Sequence, residues 1–167
     1  MKDLIESARR CMECKQYISA LLTVLTIPDA CGAVQYPEIS GRGANGKRAR
    51  KWFEAFVDGP KLNFDANVAW AARNPVMHEV RVDWRGNFGF GKLVFCLPGQ
   101  IDVHDCGPSD DYRVVSLQQI VDEITSAALS WLEGALTDPT TRERAEGLLQ
   151  FRPDGDGSLV LGIPVIA

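Results

Sequence analysis

Histidine is almost missing: His78 and His104 are the only two in 167 residues, so proton transfer by an imidazole has two places to occur. There is no internal repeat, no Walker-type phosphate loop, no serine-nucleophile motif and no carboxylate cluster to seat two metal ions, which sets aside those routes to hydrolysis. Long apolar runs are also lacking. The most apolar stretch, Tyr17 to Ile27, is interrupted by Ser19, Thr23 and Thr26 and stopped by Pro28, short of the roughly 20 residues a membrane span needs. It reads as a buried helix, with no membrane partner. Met1-Lys2-Asp3-Leu4 turns polar again at Glu6 and Arg9, so no export signal is expected and the location read is cytoplasmic. Positive charge is not in excess: the net charge is −4 and the pI about 5.2, so any contact with nucleic acid has to be local.

Cysteine is present in an odd number, five, which in a chain without an export signal favours reduced thiols over a disulfide framework. Cys11-Met12-Glu13-Cys14 forms a C-x2-C pair, but zinc takes four ligands, and Cys96 and Cys106 are too far apart in sequence to supply a second close pair. Asp102, His104 and Cys106 at strand spacing describe a solvated sheet face as well as a ligand set. Asp154-Gly155-Asp156-Gly157 lacks the remaining ligands of a calcium loop and reads as a turn. No metal and no cofactor is expected.

At 46% hydrophobic residues, the chain fits one domain, 1–167, with a sizeable core. From Leu4 to Ala33, apolar residues recur at helical spacing through Ala8, Cys11, Cys14, Ile18, Leu21 and Leu25, predicting a scaffold helix kinked or restarted at Pro28. Its Tyr17–Ile27 part is apolar all round and calls for enclosure by other helices or a partner subunit. Gly32 to Gly46, with Pro37, Gly41 and Gly43, reads as a loop. A short helix follows from about Gly46 to Asp58, beginning with the cations Lys47, Arg48, Arg50 and Lys51. With Arg42 these form either a phosphate-binding patch, with Trp52 available to stack on a base, or a solvated face with Trp52 in the core.

Asp65 caps a third helix running from Ala66 to about Asn74, and Pro75 is expected to bend it inside Arg73-Asn74-Pro75-Val76-Met77-His78. In a straight helix residues five apart lie about 140° apart around the axis, so only such a bend brings Arg73 and His78 to one side. The plainer alternative is that Arg73 pairs a carboxylate and His78 ends a helix. Val80, Val82 and Trp84 then alternate with Arg81, Asp83 and Arg85, and together with Leu93–Leu97, the Pro98-Gly99 turn and Ile101–Val103 they predict a three-stranded antiparallel meander over about 80–106. Ser116 opens a capping box with Gln119 and a strong helix to Leu136. Asp138-Pro139 starts a shorter charged helix through Leu149. Leu159 to Ile166 reads as an edge strand or a segment packed across a partner. The fold class is mainly α, with a helical core at about 3–80 and 116–150.

The hexad Arg73 to His78 resembles the R-x4-6-H signature of the HEPN superfamily, helical proteins active as dimers, and Asn74 after the arginine fits the polar residue often found there. The resemblance implies a HEPN-like helical bundle with the meander as an insertion, a homodimer, and metal-independent endoribonuclease chemistry of the kind seen in toxin–antitoxin and defence proteins. In that chemistry a ribose 2′-hydroxyl attacks the adjacent phosphorus. It implies His78 as general base or acid, Arg73 on the phosphate and Asn74 as a phosphate ligand or His78 positioner, with Glu79 able to tune the imidazole. RNA is the expected substrate, contacted by Arg42, Lys47, Arg48, Arg50 and Lys51, and a nucleotidyltransferase-type antitoxin is a possible partner. The family also contains non-catalytic relatives, so a dimeric module binding a nucleotide or protein is the alternative.

Overall fold

In a computed structural model the described residues are 1–79, 92–99, 112–148, 151–152, 155–156, 160–161 and 165–166. Among them the chain is mainly helical: α1 (Lys2–Glu13), α2 (Tyr17–Gln35), α3 (Ala44–Phe56), α4 (Gly59–Leu62), α5 (Ala66–Glu79), α6 (Leu117–Ala135) and α7 (Pro139–Glu146). Two five-residue strands, β1 (Lys92–Cys96) and β2 (Tyr112–Ser116), precede α6, and four two-residue strands (β3 to β6, 151–166) pair within the tail.

The bundle is built around α2, which lies against α1, α3, α5, α6 and α7. Nine of its residues are buried, from Ala20 to Val34, so the other helices enclose about half of the all-round apolar sequence, while Ile18 near its start stays 65% exposed. By length and composition α2 is the one described helix able to cross a membrane, and half of it is buried inside the fold. Trp52, Phe53 and Phe64 are fully buried, the two phenylalanines edge-on at 6.3 Å and each contributing about 1.5–3 kcal/mol of apolar burial. Thr125, wholly buried on α6, accepts from Arg9 Nε of α1 at 3.0 Å. The far end of α2 is closed by Arg144 of α7, which donates to the Val34 carbonyl at 3.0 Å, and by Trp131 Nε1, which donates to Gln35 Oε1 at 2.6 Å.

The expected single helix from Leu4 to Ala33 is two helices, and the break lies at Lys15 rather than Pro28. Lys15 takes φ +59; its N–H bonds the Met12 carbonyl at 3.0 Å and the Gln16 N–H bonds the Cys11 carbonyl at 2.7 Å. That pair of bonds is a Schellman C-cap with lysine where glycine is usual. Pro28 instead sits inside α2: its ring removes one backbone bond, but burial of Val24, Ile27 and Cys31 around it holds the helix together. The loop expected at Gly32 to Gly46 is shorter for a similar reason. Gly32 lies in α2, where an added Cβ would meet the backbone carbonyl of Arg48 at 2.6 Å, and Gly46 lies in α3, where it would meet the Trp70 indole at 2.7 Å. These two are close-approach residues. Only Gly41 and Gly43, at φ +85 and +75, turn the chain.

The antiparallel meander is corrected. β1 pairs with β2, and in parallel, from Lys92↔Tyr112 to Cys96↔Ser116. Period-two alternation marks a strand but not the direction of its neighbour, and the connection from 97 to 111 is long enough for the crossover a parallel pair requires. The expected strands at Val80–Trp84 and Ile101–Val103 lie outside the described residues. Helix starts fare better: Asp65 accepts from Asn67 N and Val68 N at 2.8 and 3.0 Å, Ser116 Oγ from Gln119 N at 3.3 Å, and Asp138 from Thr141 N at 2.7 Å. In the tail, Gly155–Asp156, expected within a turn, pairs with Val160–Leu161.

Candidate functional site

Arg73 projects from the middle of α5 into the angle between α2 and α3. Ala69, Ala72 and Val76, at helical spacing, are buried and seat α5 on the core, which leaves Trp70, Arg73 and Asn74 at the rim. Gly46 lets α3 approach closely enough to touch the Trp70 indole, and the Arg73 guanidinium lies 5.3 Å from the centroid of that ring, within the range of a cation–π contact. The close approach of two helices thus fixes the aromatic surface beside the cation.

The Arg73 donors are largely committed. Nη2 donates to Asp29 Oδ2 of α2 at 3.0 Å and Nη1 to Asn74 Oδ1 at 3.2 Å, while Nε is buried with no hydrogen-bond partner among the described residues. The Arg73–Asp29 pair is about one-fifth exposed on each side, enough shielding from water for the attraction to exceed that of a surface ion pair. Asp29, the carboxylate that the plainer reading of Arg73 required, carries no local mark in the sequence because it lies on another helix.

Arg50 of α3 lines the same recess, together with Pro28, Phe53, Trp70 and Arg73. It makes no hydrogen bond or ion pair among the described residues. Two arginines therefore line one recess, a local excess of positive charge in a chain of net charge −4. The recess holds only about 10 Å³, roughly the room of one water molecule, so an anion would bind across its rim.

The remaining cations divide into two groups. Arg42 and Lys47 are exposed and uncommitted among the described residues, and Lys47 and Arg50, three apart on α3, share a helix face. Arg48 is half-buried, with Nη2 donating to Asn45 Oδ1 at 2.5 Å, and Lys51 sits 3.8 Å from Glu38 and 4.1 Å above the Tyr36 ring. Those two are engaged within the protein. Trp52, offered by the sequence as a stacking platform, is fully buried, edge-on to Trp131 at 6.2 Å. Trp70 is the aromatic residue against the Arg73 guanidinium.

The bend expected at Pro75 does not end α5, which continues to Glu79; burial of Ala72 and Val76 to either side outweighs the lost backbone bond. Arg73 and His78 therefore occupy one helix five residues apart, which in a straight helix is about 140° around the axis. The side chains of His78 and Glu79 lie outside the described residues, as do His104 and Cys106. Among the described residues no group of three or more metal-ligating side chains occurs. No family model, curated protein or solved structure matches the chain.

Proposed function

We propose that this protein is a HEPN-like, metal-independent endoribonuclease acting as a homodimer, with RNA bound across the α3–α5 face. The observation that carries the proposal is a recess lined by both Arg50 and Arg73, with Arg73 bonded to Asn74 and set against the Trp70 ring. A guanidinium fork suits a phosphate, and one that meets the developing charge of a pentacoordinate phosphorus accelerates its formation. The 2′-hydroxyl of the nucleotide attacks its own 3′-phosphate, the 5′-oxygen of the next nucleotide leaves, and a 2′,3′-cyclic phosphate results. His78 moves the proton; an imidazole with an ordinary pKa near 6.5 suits that task at neutral pH. Because residues five apart on a straight helix point about 140° apart, a second subunit supplies a simple way to oppose an arginine of one copy with a histidine of the other.

The test is cleavage of single-stranded RNA in chelator, with product ends identified. Arg73→Ala and His78→Ala are each expected to lower the rate by about 10² to 10⁴. A wild-type rate equal to that of His78→Ala on several RNAs contradicts the proposal. A second reading, a non-catalytic dimeric module for a nucleotide or protein partner, is favoured by the Arg73–Asp29 ion pair, which occupies one arm of the fork, and by the small volume of the recess. Binding without cleavage decides for it. A role as a toxin or defence protein, and pairing with a nucleotidyltransferase-type antitoxin, belong to the same proposal and rest on the hexad alone.

A further inference from the structure

At the joint between α1 and α2, away from Arg73, two thiols stand one helical turn apart. Cys11 is half-buried and Cys14, the C-cap of α1, is exposed. Both line an open recess of about 530 Å³ along α1, with Glu6, Arg10 and Gln16, so a small molecule has access to either sulfur. Cys11 Sγ already points at the joint, 3.9 Å from Gln16 Oε1. We infer that Cys11 and Cys14 are an oxidisable dithiol whose disulfide reshapes the α1–α2 joint.

Residues three apart on a helix hold their Cβ atoms about 5–6 Å apart, whereas a disulfide needs about 3.5–4.5 Å. Closing that gap moves one end of the pair. Cys11 is inside the helix, but Cys14 lies just past its last residue, so the movement falls on Cys14 and the turn after it. That turn is Lys15 at φ +59, a conformation a residue with a Cβ adopts at some cost. It is held by the bonds from Lys15 N to the Met12 carbonyl and from Gln16 N to the Cys11 carbonyl. Drawing Cys14 toward Cys11 strains both. Gln16 also lines a second open recess of about 530 Å³, with Tyr17, Ile18, Phe95, Leu97 and Leu117, so the change reaches the start of the core helix.

A low-molecular-weight disulfide, RSSR, is the oxidant. The Cys14 sulfur attacks one sulfur of RSSR, the S–S bond breaks, and one RSH leaves with a proton. The Cys11 sulfur then attacks Cys14, expelling the second RSH. The protein loses two electrons and two protons, and RSSR gains them. Cys31 is the internal control: it is fully buried beside Met1 Sδ, and burial pushes its thiol far above the usual range, which keeps it unreactive.

The experiment treats the full chain with oxidised glutathione, maps thiols and bridges by mass spectrometry, and follows backbone amide exchange before and after. The expected result is a Cys11–Cys14 bridge, Cys31 unmodified until the chain is unfolded, and exchange at Lys15 and Gln16 faster by about tenfold or more, reversed by a dithiol reductant. Cys11→Ser, which removes the resolving sulfur, is expected to stop at the glutathione adduct on Cys14. A bridge from either residue to another cysteine, stable glutathione adducts on both in the wild-type chain, or a Cys11–Cys14 bridge that leaves exchange at Lys15 and Gln16 unchanged would each overturn the inference.

Discussion

Replacing Gly32 with alanine tests how closely α2 and α3 approach, and the magnitude follows from the backbone around it. Alanine in a helix interior is favoured over glycine by about 0.8–1.0 kcal/mol. Against that, the new Cβ would lie 2.6 Å from the carbonyl carbon and oxygen of Arg48 and 2.9 Å from the nitrogen of Ala49. These are backbone atoms of α3, so no rotamer change relieves the clash and two helices must separate. Overpacking of this kind costs about 1–3 kcal/mol, occasionally more, and the rigid neighbour places it at the upper end. The net expectation is about 2 kcal/mol of destabilisation, or a Tm lower by about 4–8 °C for a domain of this size. Gly134, on α6, is the matched control: beyond its own helix backbone and chain neighbours, nothing among the described residues lies within 4 Å of its added Cβ, so Gly134→Ala is expected to be neutral or stabilising by up to about 1 kcal/mol. Urea titrations of the two variants beside the parent give both numbers. A Gly32→Ala chain as stable as the parent would refute the close approach, and with it the way α3 is set against the site.

Other expectations concern the site and its supports. Asp29→Asn frees a fork arm of Arg73 and is expected to steepen the salt dependence of RNA binding by about 0.7 in the log–log slope; a shallower slope, measured by filter binding, would make Asp29 a positioning group whose loss misplaces the arginine. Thr125→Val leaves the Arg9 guanidinium short of its acceptor at 3.0 Å and is expected to cost about 1–2 kcal/mol in urea unfolding. The Asp138 carboxyl is held below its usual value by hydrogen bonds to Thr141, from its side chain first and its backbone second. Its contribution to α7 is therefore complete above the ordinary carboxylate range and lost as pH falls through the lowered folded value. Exchange protection at Thr141 that fades at acid pH in the parent but is already reduced at neutral pH in Asp138→Asn is the expected pattern; equal protection in both would contradict it.

What the sequence made legible was local. The caps at Asp65, Ser116 and Asp138, and the apolar periods behind them, depend on atoms within a few residues, and they appear where expected. The misses share a different origin. Lys15 breaks the first helix in a left-handed conformation whose usual marker is glycine, so composition points to Pro28 instead. Pro28 and Pro75 stay inside helices because buried neighbours outweigh one missing bond each. Gly32 and Gly46 resemble loop residues until the helices they allow to touch are in place. β1 was recognisable as a strand, but its parallel partner depends on a distant segment. At the site, Arg73 stands out through its hexad, while its partner Asp29 is 44 residues away and the place of Arg50 on the same recess depends on how α3 packs against α5. The five candidate cations look alike in sequence. Only the surrounding side chains distinguish Arg42, Lys47 and Arg50 from the engaged Arg48 and Lys51.

That division supplies the most direct measurement of the central claim, that the α3–α5 face binds an RNA backbone. Affinity for a single-stranded RNA is measured over a range of salt for five single alanine variants. Arg42→Ala, Lys47→Ala and Arg50→Ala are each expected to reduce the log–log slope by about 0.7, the counterion release of one phosphate contact on a single strand, with Arg50→Ala costing the most affinity because it removes half of the arginine pair. Arg48→Ala and Lys51→Ala are expected to leave the slope unchanged. No RNA binding at low salt, or an equal loss from all five variants, would contradict the claim.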